Sequence, residues 1–71
     1  MTDAQCCIIS VINKLGCSTT QEIADELGGV SKRRVAAAIA SCTRSHFVIS
    51  VGDGAWSVTL LGARTFLNRE M

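Results

Sequence analysis

Residues 19–39, TTQEIADELGGVSKRRVAAAI, predict two helices joined by a tight turn. This pair of helices is the basis of the predicted fold. Thr19 and Glu22 have the spacing of a capping box, in which each side chain accepts a hydrogen bond from the other residue's backbone, so a helix begins there. The glycine pair at 28–29 ends that helix after about eight residues. Ser31 is a favourable N-cap, so it predicts the start of a further helix.

A first helix is predicted ahead of this stretch, over about residues 3–15. Thr2 and Gln5 have the spacing of another capping box, and Gly16 is a typical residue to end a helix. Apolar residues recur between them at helical spacing. They are Ile8, Val11, Ile12 and Leu15.

An alternating pattern follows the third helix, which is predicted to reach about Arg44. Phe47, Ile49 and Val51 fall on one side of a predicted strand. The sequence GDG at 52–54 then predicts a tight turn, and AWSVT continues as a second strand. Together these residues predict a β-hairpin.

The last helix is predicted over about residues 60–68, with Thr59 as its N-cap. Its apolar face is predicted to consist of Leu60, Leu61, Phe66 and Leu67. With Ile9 of the first helix, Leu61 and Phe66 offer more apolar surface than a core this small needs. We therefore expect a homodimer through the first or the last helix.

Length and composition indicate one small domain spanning residues 1–71. Hydrophobic residues make up 48% of the chain, charged residues make up 18%, and proline is absent, which excludes a disordered tail or linker. The longest uncharged apolar run is far shorter than the roughly 20 residues that a membrane-spanning helix needs. Asp3 stands where a signal peptide would carry basic residues. We therefore expect a cytoplasmic protein with no membrane partner.

The cysteines and the single histidine do not have the spacing of a metal site. No two cysteines form a C-x-x-C pair, and His46 has no second histidine to complete a zinc site. We expect the thiols to be small buried hydrophobes in a reducing compartment, while a metal or iron–sulfur site and redox sensing remain alternatives. The cysteines are Cys6, Cys7, Cys17 and Cys42.

The chemistry-bearing residues also lack the patterns of an active site. The chain contains no nucleophile–base pairing, no paired carboxylates in a plausible cleft and no phosphate-binding loop. We therefore expect neither an enzyme nor a bound cofactor, and no small-molecule substrate is evident.

The third helix is predicted to have a core stripe and, opposite it, a small and basic stripe. The core stripe, within roughly 60° of Val35 on a helical wheel, contains Ser31, Ala38, Ile39 and Cys42. The opposite stripe contains Arg33, Ala37, Ala40 and Arg44, and it is flanked by Lys32 and Arg34. Cations in a first turn oppose the helix macrodipole, typically at a cost of about 0.3 to 1 kcal/mol each. In a chain of net charge +1, this arrangement indicates an anionic partner.

The order of these elements resembles the winged-helix branch of the helix-turn-helix class. The resemblance is carried by residues 19–39, with E-I-A, a leucine–glycine turn and Val-Ser ahead of a helix. It is also carried by residues 54–67, GAWSVTLLGARTFL, in which an aromatic strand runs into Thr-Leu-x-x and a C-terminal helix. It implies an α+β fold that is mainly α with a small β-hairpin. The implied order is a helix, a short strand, two helices, the hairpin and a last helix.

The resemblance further implies double-stranded DNA as the partner, with the third helix in the major groove. Arginine there can contact guanine, lysine and serine can reach phosphates or bases, and alanine can touch a thymine methyl group. The residues predicted to contact DNA are Ser31, Lys32, Arg33, Arg34, Ala37, Ser41 and Arg44. Three alternatives stay open: a solvated face, ion pairs with the acidic second helix, and a protein–protein interaction module.

The predicted hairpin departs from the family's pattern. Family wings commonly carry arginine or lysine, whereas VGDGA at 51–55 offers only Asp53, which phosphate would repel. His46 is predicted either to contact phosphate near the start of the hairpin or, as the favoured interpretation, to be a partly buried structural residue.

Overall fold

The computed structural model describes residues 1–70, with side chains described for residues 1–69. These residues form an α+β domain with four helices and a three-stranded antiparallel sheet, in the element order that the sequence predicts. Over this part of the chain, no helix has the length and apolar character needed to cross a bilayer. The elements are α1 (Asp3–Leu15), β1 (Ser18–Thr19), α2 (Thr20–Glu26), α3 (Lys32–Arg44), β2 (Val48–Gly52), β3 (Ala55–Val58) and α4 (Leu60–Glu70).

Each helix begins at the cap that the sequence predicts. Both capping boxes are complete, one at Thr2 with Gln5 and the other at Thr19 with Glu22. Ser31 caps α3, and the Oγ1 atom of Thr59 accepts a hydrogen bond of 3.0 Å from a backbone N–H in the first turn of α4. These side chains satisfy N–H groups that a helix start leaves without partners, which explains why the predicted starts are confirmed.

The sheet places β3 between β1 and β2. Ser18 of β1 pairs with Trp56, and Val48 of β2 pairs with Val58. The register of the hairpin shifts between Ser50 and Gly52. The short first strand thus ties the segment between α1 and α2 to the hairpin.

The core lies between the three N-terminal helices and the first residue of the hairpin. Val35, Ile39 and Cys42 of α3 are buried and Ala38 is half-buried, which confirms these members of the predicted core stripe, whereas Ser31 is exposed and its placement on that stripe is wrong. The buried hydrophobic residues are Ile8, Ile9, Val11, Ile12, Ile23, Ala24, Val35, Ile39, Cys42 and Val48.

The side of the first hairpin strand that carries Ile49 and Val51 is exposed. Ile49 and Val51 are 55% and 52% exposed, and the buried residue of the strand is Val48. The strand begins one residue later than the alternation suggests, because the backbone N–H of Phe47 still bonds to the carbonyl oxygen of Cys42 at the end of α3. Phe47 therefore lies outside the strand and packs against the core, while Val48 is the buried residue within it.

Most of the predicted apolar residues of α4 are exposed. Leu60, Leu61 and Leu67 are 75%, 51% and 61% exposed, and only Phe66 of the predicted face packs against the core. Within residues 60–69 of this helix, Gly62 is the buried one, because it lies against the backbone of Phe47 and leaves no room for a side chain there. The leucines therefore extend away from the domain.

The first and last helices, α1 and α4, differ in how much apolar surface they expose to a partner. Ile9 is fully buried, so the expectation that it provides spare apolar surface on α1 is wrong. Phe66 is partly buried against the core, whereas Leu61 is exposed. Spare apolar surface on the terminal helices is therefore concentrated on α4.

The four cysteines are free thiols in different environments. Cys42 is buried as predicted, and Cys6 is half-buried. Cys7 and Cys17 are exposed, so the expectation of buried thiols is wrong for them. Adjacent residues on a helix point about 100° apart, which turns Cys7 outward when Cys6 faces inward.

Candidate nucleic-acid interface

The turn before α3 depends on two glycines with left-handed backbone conformations. The φ angles of Gly28 and Gly29 are 83° and 86°, which residues with a side chain rarely adopt. Their N–H groups donate hydrogen bonds of 3.1 Å to the carbonyl oxygens of Asp25 and Ala24, which closes the end of α2. The chain then leaves α2 sharply and starts α3 at Lys32.

Ser31 fixes the first turn of α3. Its Oγ atom accepts a hydrogen bond of 3.3 Å from the N–H of Arg34, and its carbonyl oxygen accepts one of 3.1 Å from the N–H of Val35. The N–H groups of Lys32 and Arg33 have no partner within the helix, since they precede the first intrahelical donors. A helix start of this kind favours anions.

The first turn of α3 carries three exposed cations and no acidic residue. In the described side chains, ion pairs join Lys14 to Glu26 and Arg69 to Asp3, and none involves a cation of α3. The cations left without an ion pair on this helix are Lys32, Arg33, Arg34 and Arg44. Their charge is therefore not neutralised within the described domain.

The acids of α2 have other partners. Glu22 accepts a hydrogen bond of 2.9 Å from the N–H of Thr19, Asp25 accepts one of 2.8 Å from Nε2 of Gln21, and Glu26 pairs with Lys14. The alternative that α2 neutralises the cations of α3 is therefore wrong for this structure. A solvated face remains as the structural alternative to an anion-binding one.

The outward stripe of α3 is flat because its central side chains are small. Ala37 and Ala40 are exposed between Arg33 and Arg44, as the helical wheel predicts. Ala36 is exposed as well and widens the stripe, although the sequence analysis did not single it out. A duplex could therefore approach the backbone of this helix closely.

Six of the seven predicted DNA-contacting residues are exposed, and Ser41 differs from them. Ser41 is half-buried, and its Oγ atom accepts a hydrogen bond of 2.9 Å from Nε2 of Gln5 on α1. It therefore links two helices and lies outside the exposed stripe. The exposed six are Ser31, Lys32, Arg33, Arg34, Ala37 and Arg44.

The hairpin contributes no positive charge. Its tip is formed by Gly52, Asp53 and Gly54, all with positive φ angles, and residues 47–58 contain no lysine or arginine. His46, just before the hairpin, is exposed with φ of 63°, so the interpretation of it as a partly buried structural residue is wrong. The alternative, that His46 contacts phosphate near the start of the hairpin, stays a prediction.

Among the described residues, no three of the histidine, cysteine, aspartate and glutamate side chains come together as metal ligands. Comparison of the chain with protein-family models, with curated proteins and with solved structures found no match. The candidate interface therefore stands on its own geometry and charge.

Proposed function

We propose that this chain is a winged helix-turn-helix domain that binds double-stranded DNA, with α3 in the major groove. We further propose that it acts as a small transcription regulator of bacterial or phage type in the cytoplasm, by binding and without catalysis. The order of helices, sheet and hairpin supports this proposal, as does the exposure of α3 on the side away from the core.

The observation that carries the proposal is the unpaired charge in the first turn of α3. Lys32, Arg33 and Arg34 are exposed, and none forms an ion pair with a described side chain. This placement costs about 0.3 to 1 kcal/mol per charge against the helix macrodipole. Phosphate offsets that cost, because it pairs with the cations and accepts hydrogen bonds from the free N–H groups of the helix start.

The proposed roles follow from the positions around the helix. Arg33 lies on the outward stripe and is suited to a bidentate contact with guanine O6 and N7, with Arg34 beside it. Lys32 and Arg44 hold the phosphate backbone on either side of the contact. Ala37 and Ala40 allow the helix to lie deep in the groove, because neither extends beyond Cβ.

A second copy completes the proposed assembly. Four cations on one helix can neutralise at most about four phosphates, which is few for tight binding at physiological salt. Leu60, Leu61 and Leu67 on α4 provide the exposed apolar surface through which two copies can pair. Half-sites would then lie about 34 to 36 Å apart, as in the common helix-turn-helix geometry.

A protein–protein interaction module is the second candidate function. The observation in its favour is that exposed apolar residues occur on both the hairpin and α4, including Ile49, Val51 and Leu60. A hairpin with an apolar outer side and only Asp53 as a charge at its tip suits a protein surface better than a duplex.

The two candidates are separated by comparing two exposed arginines of equal charge. Arg33→Gln is expected to weaken binding to an enriched duplex by about 1 to 3 kcal/mol and to relax preference at one base pair. Arg64→Gln removes the same charge from α4 and serves as the matched control, with sedimentation used to verify that the dimer is unchanged, because Arg64 lies beside Leu60 and Leu61. Equal effects of the two substitutions, measured by fluorescence anisotropy, would contradict the placement of α3 in the groove.

A further inference from the structure

We propose that the cleft between α1 and the first half of α3 binds a small apolar molecule that carries one anionic group. The cleft has a volume of about 310 Å³ and lies behind the turn that joins α2 to α3. It is lined by Ala4, Cys7 and Ile8 of α1, by Leu27 and Val30 of the turn, and by Arg34, Val35 and Ala38 of α3.

The cleft is open because small side chains face each other across it. Ala4 and Cys7 of α1 and Ala38 of α3 line it, and their short side chains leave unfilled a space that larger residues would occupy. An apolar cavity of about 150 Å³ already holds benzene, so about 310 Å³ has room for a longer alkyl chain or a second ring. Apolar ligands gain free energy in such a site through the area they remove from water.

Arg34 determines the charge of the ligand. Among the described lining residues it is the one basic side chain, and it forms no ion pair with a described side chain. None of the described lining residues is a carboxylate. A guanidinium at the mouth of an apolar cleft matches a carboxylate or sulfonate through two parallel hydrogen bonds. The ligand class is therefore an apolar acid.

Binding there has a consequence for DNA, and this step alone rests on the proposed function. Arg34 is one of the proposed DNA-contacting residues, so a ligand that holds its guanidinium competes with the duplex for it. By thermodynamic reciprocity, the apolar acid weakens DNA binding by the same factor by which DNA weakens binding of the acid.

The ligand site is tested without DNA, so its failure is distinguishable from failure of the proposed function. Decanoate, kept below its micelle-forming concentration, is titrated into ¹⁵N-labelled protein while the amide resonances of Ile8, Leu27 and Ala38 are followed. We expect these resonances to shift in a saturable way. Decanol, which lacks the charge, is expected to bind about tenfold more weakly.

Two substitutions test whether the guanidinium of Arg34 binds the anionic group of the ligand. Arg34→Gln is expected to weaken decanoate binding about tenfold and to leave decanol binding unchanged. Arg33→Gln removes a neighbouring charge that does not line the cleft, so it is expected to leave both affinities unchanged. Equal affinities of the two variants for decanoate would overturn the role of Arg34.

Substitutions that fill the cleft test whether decanoate binds inside it. Ala38→Leu places a larger side chain inside it and is expected to abolish the shifts, and Ala4→Leu fills it from the exposed side of α1 if the first variant does not fold. Decanoate shifts that persist in a folded filled variant would overturn the site. An absence of saturable shifts in the unaltered protein would overturn it as well.

Discussion

Gly62 of α4 packs directly against the backbone of Phe47, so closely that a Cβ atom at Gly62 would overlap the Phe47 carbonyl oxygen. The same oxygen accepts a hydrogen bond of 2.9 Å from the N–H of Thr59. The start of α4 is thereby held against the residue that leads from α3 into the hairpin. Any side chain at residue 62 must push the helix away.

Gly62→Ala is therefore expected to destabilise the domain by about 1 to 3 kcal/mol, even though alanine is the better helix former. Urea unfolding followed by circular dichroism measures the loss. Asn68→Ala, at an exposed position of the same helix, is the control and is expected to cause no loss. A Gly62→Ala variant as stable as the original chain would contradict the packing of α4 on Phe47.

The polar link between α1 and α3 is expected to appear as a coupling energy. Nε2 of Gln5 donates to Oγ of Ser41 at 2.9 Å, and Gln5 is buried. In a double-mutant cycle, Gln5→Met and Ser41→Ala are expected to couple by about 0.5 to 3 kcal/mol. Ser10→Ala, at an exposed position of α1, is expected to be additive with Gln5→Met. Additivity of the Gln5 and Ser41 changes would show that the link does not form.

Cys42 is expected to make stability fall at alkaline pH. Burial raises the pKa of its thiol from 9.0 to about 11. Between these values the unfolded chain loses the proton while the folded chain keeps it, so the free energy of unfolding decreases as pH rises through this window. Below about pH 8 both states hold the proton and the effect vanishes.

The control for this effect is Cys42→Ala, which removes the titrating group. The fall in stability between about pH 8 and pH 10 is expected to be smaller in this variant, as measured by urea unfolding at each pH. Identical pH dependence in the two proteins would mean that Cys42 does not remain protonated in the fold.

Self-association is expected to depend on α4. Sedimentation equilibrium should show a dimer, and Leu61→Lys should raise the dissociation constant at least about tenfold, because it buries a charge in the apolar contact. Leu15→Lys, at an exposed leucine near the end of α1, is the matched control and should leave the dimer intact. A monomer at every concentration would contradict the proposed dimer, but it would not contradict the proposed DNA contact through α3.

The starts of the helices could be predicted because hydrogen bonds between residues close in the sequence determine them. Thr2, Thr19 and Ser31 each accept a hydrogen bond from a backbone N–H within the next three residues, which a sequence pattern can represent. The buried residues of α3 could also be predicted, because helical periodicity determines which side chains share a face. The exposure of its cations was likewise predictable, since they lie outside that stripe.

The hairpin face and the packing of α4 depend on contacts between distant parts of the chain. A hydrogen bond from the N–H of Phe47 to the end of α3 keeps Phe47 outside the strand, and the close contact of Gly62 with the Phe47 backbone sets how α4 packs. Ser41 likewise turns toward α1 because Gln5 is buried opposite it. A pattern of apolar residues contains no information about these contacts. The exposed side of the hairpin, the packing of α4 and the link from Ser41 to α1 could therefore not be predicted from it.

The salt dependence of DNA binding is the most direct test of α3 as the DNA-contacting helix. Labelled duplex is titrated with the unaltered protein at two salt concentrations, and each copy bound through α3 should release counterions from about two to four phosphates, since Lys32 and Arg44 hold the backbone while the arginines beside them contact bases. We expect a slope of roughly −2 to −4 in log K against log salt for each bound copy, together with tighter binding to an enriched sequence than to a random one. No binding to either duplex at low salt would contradict the account and favour the protein–protein module.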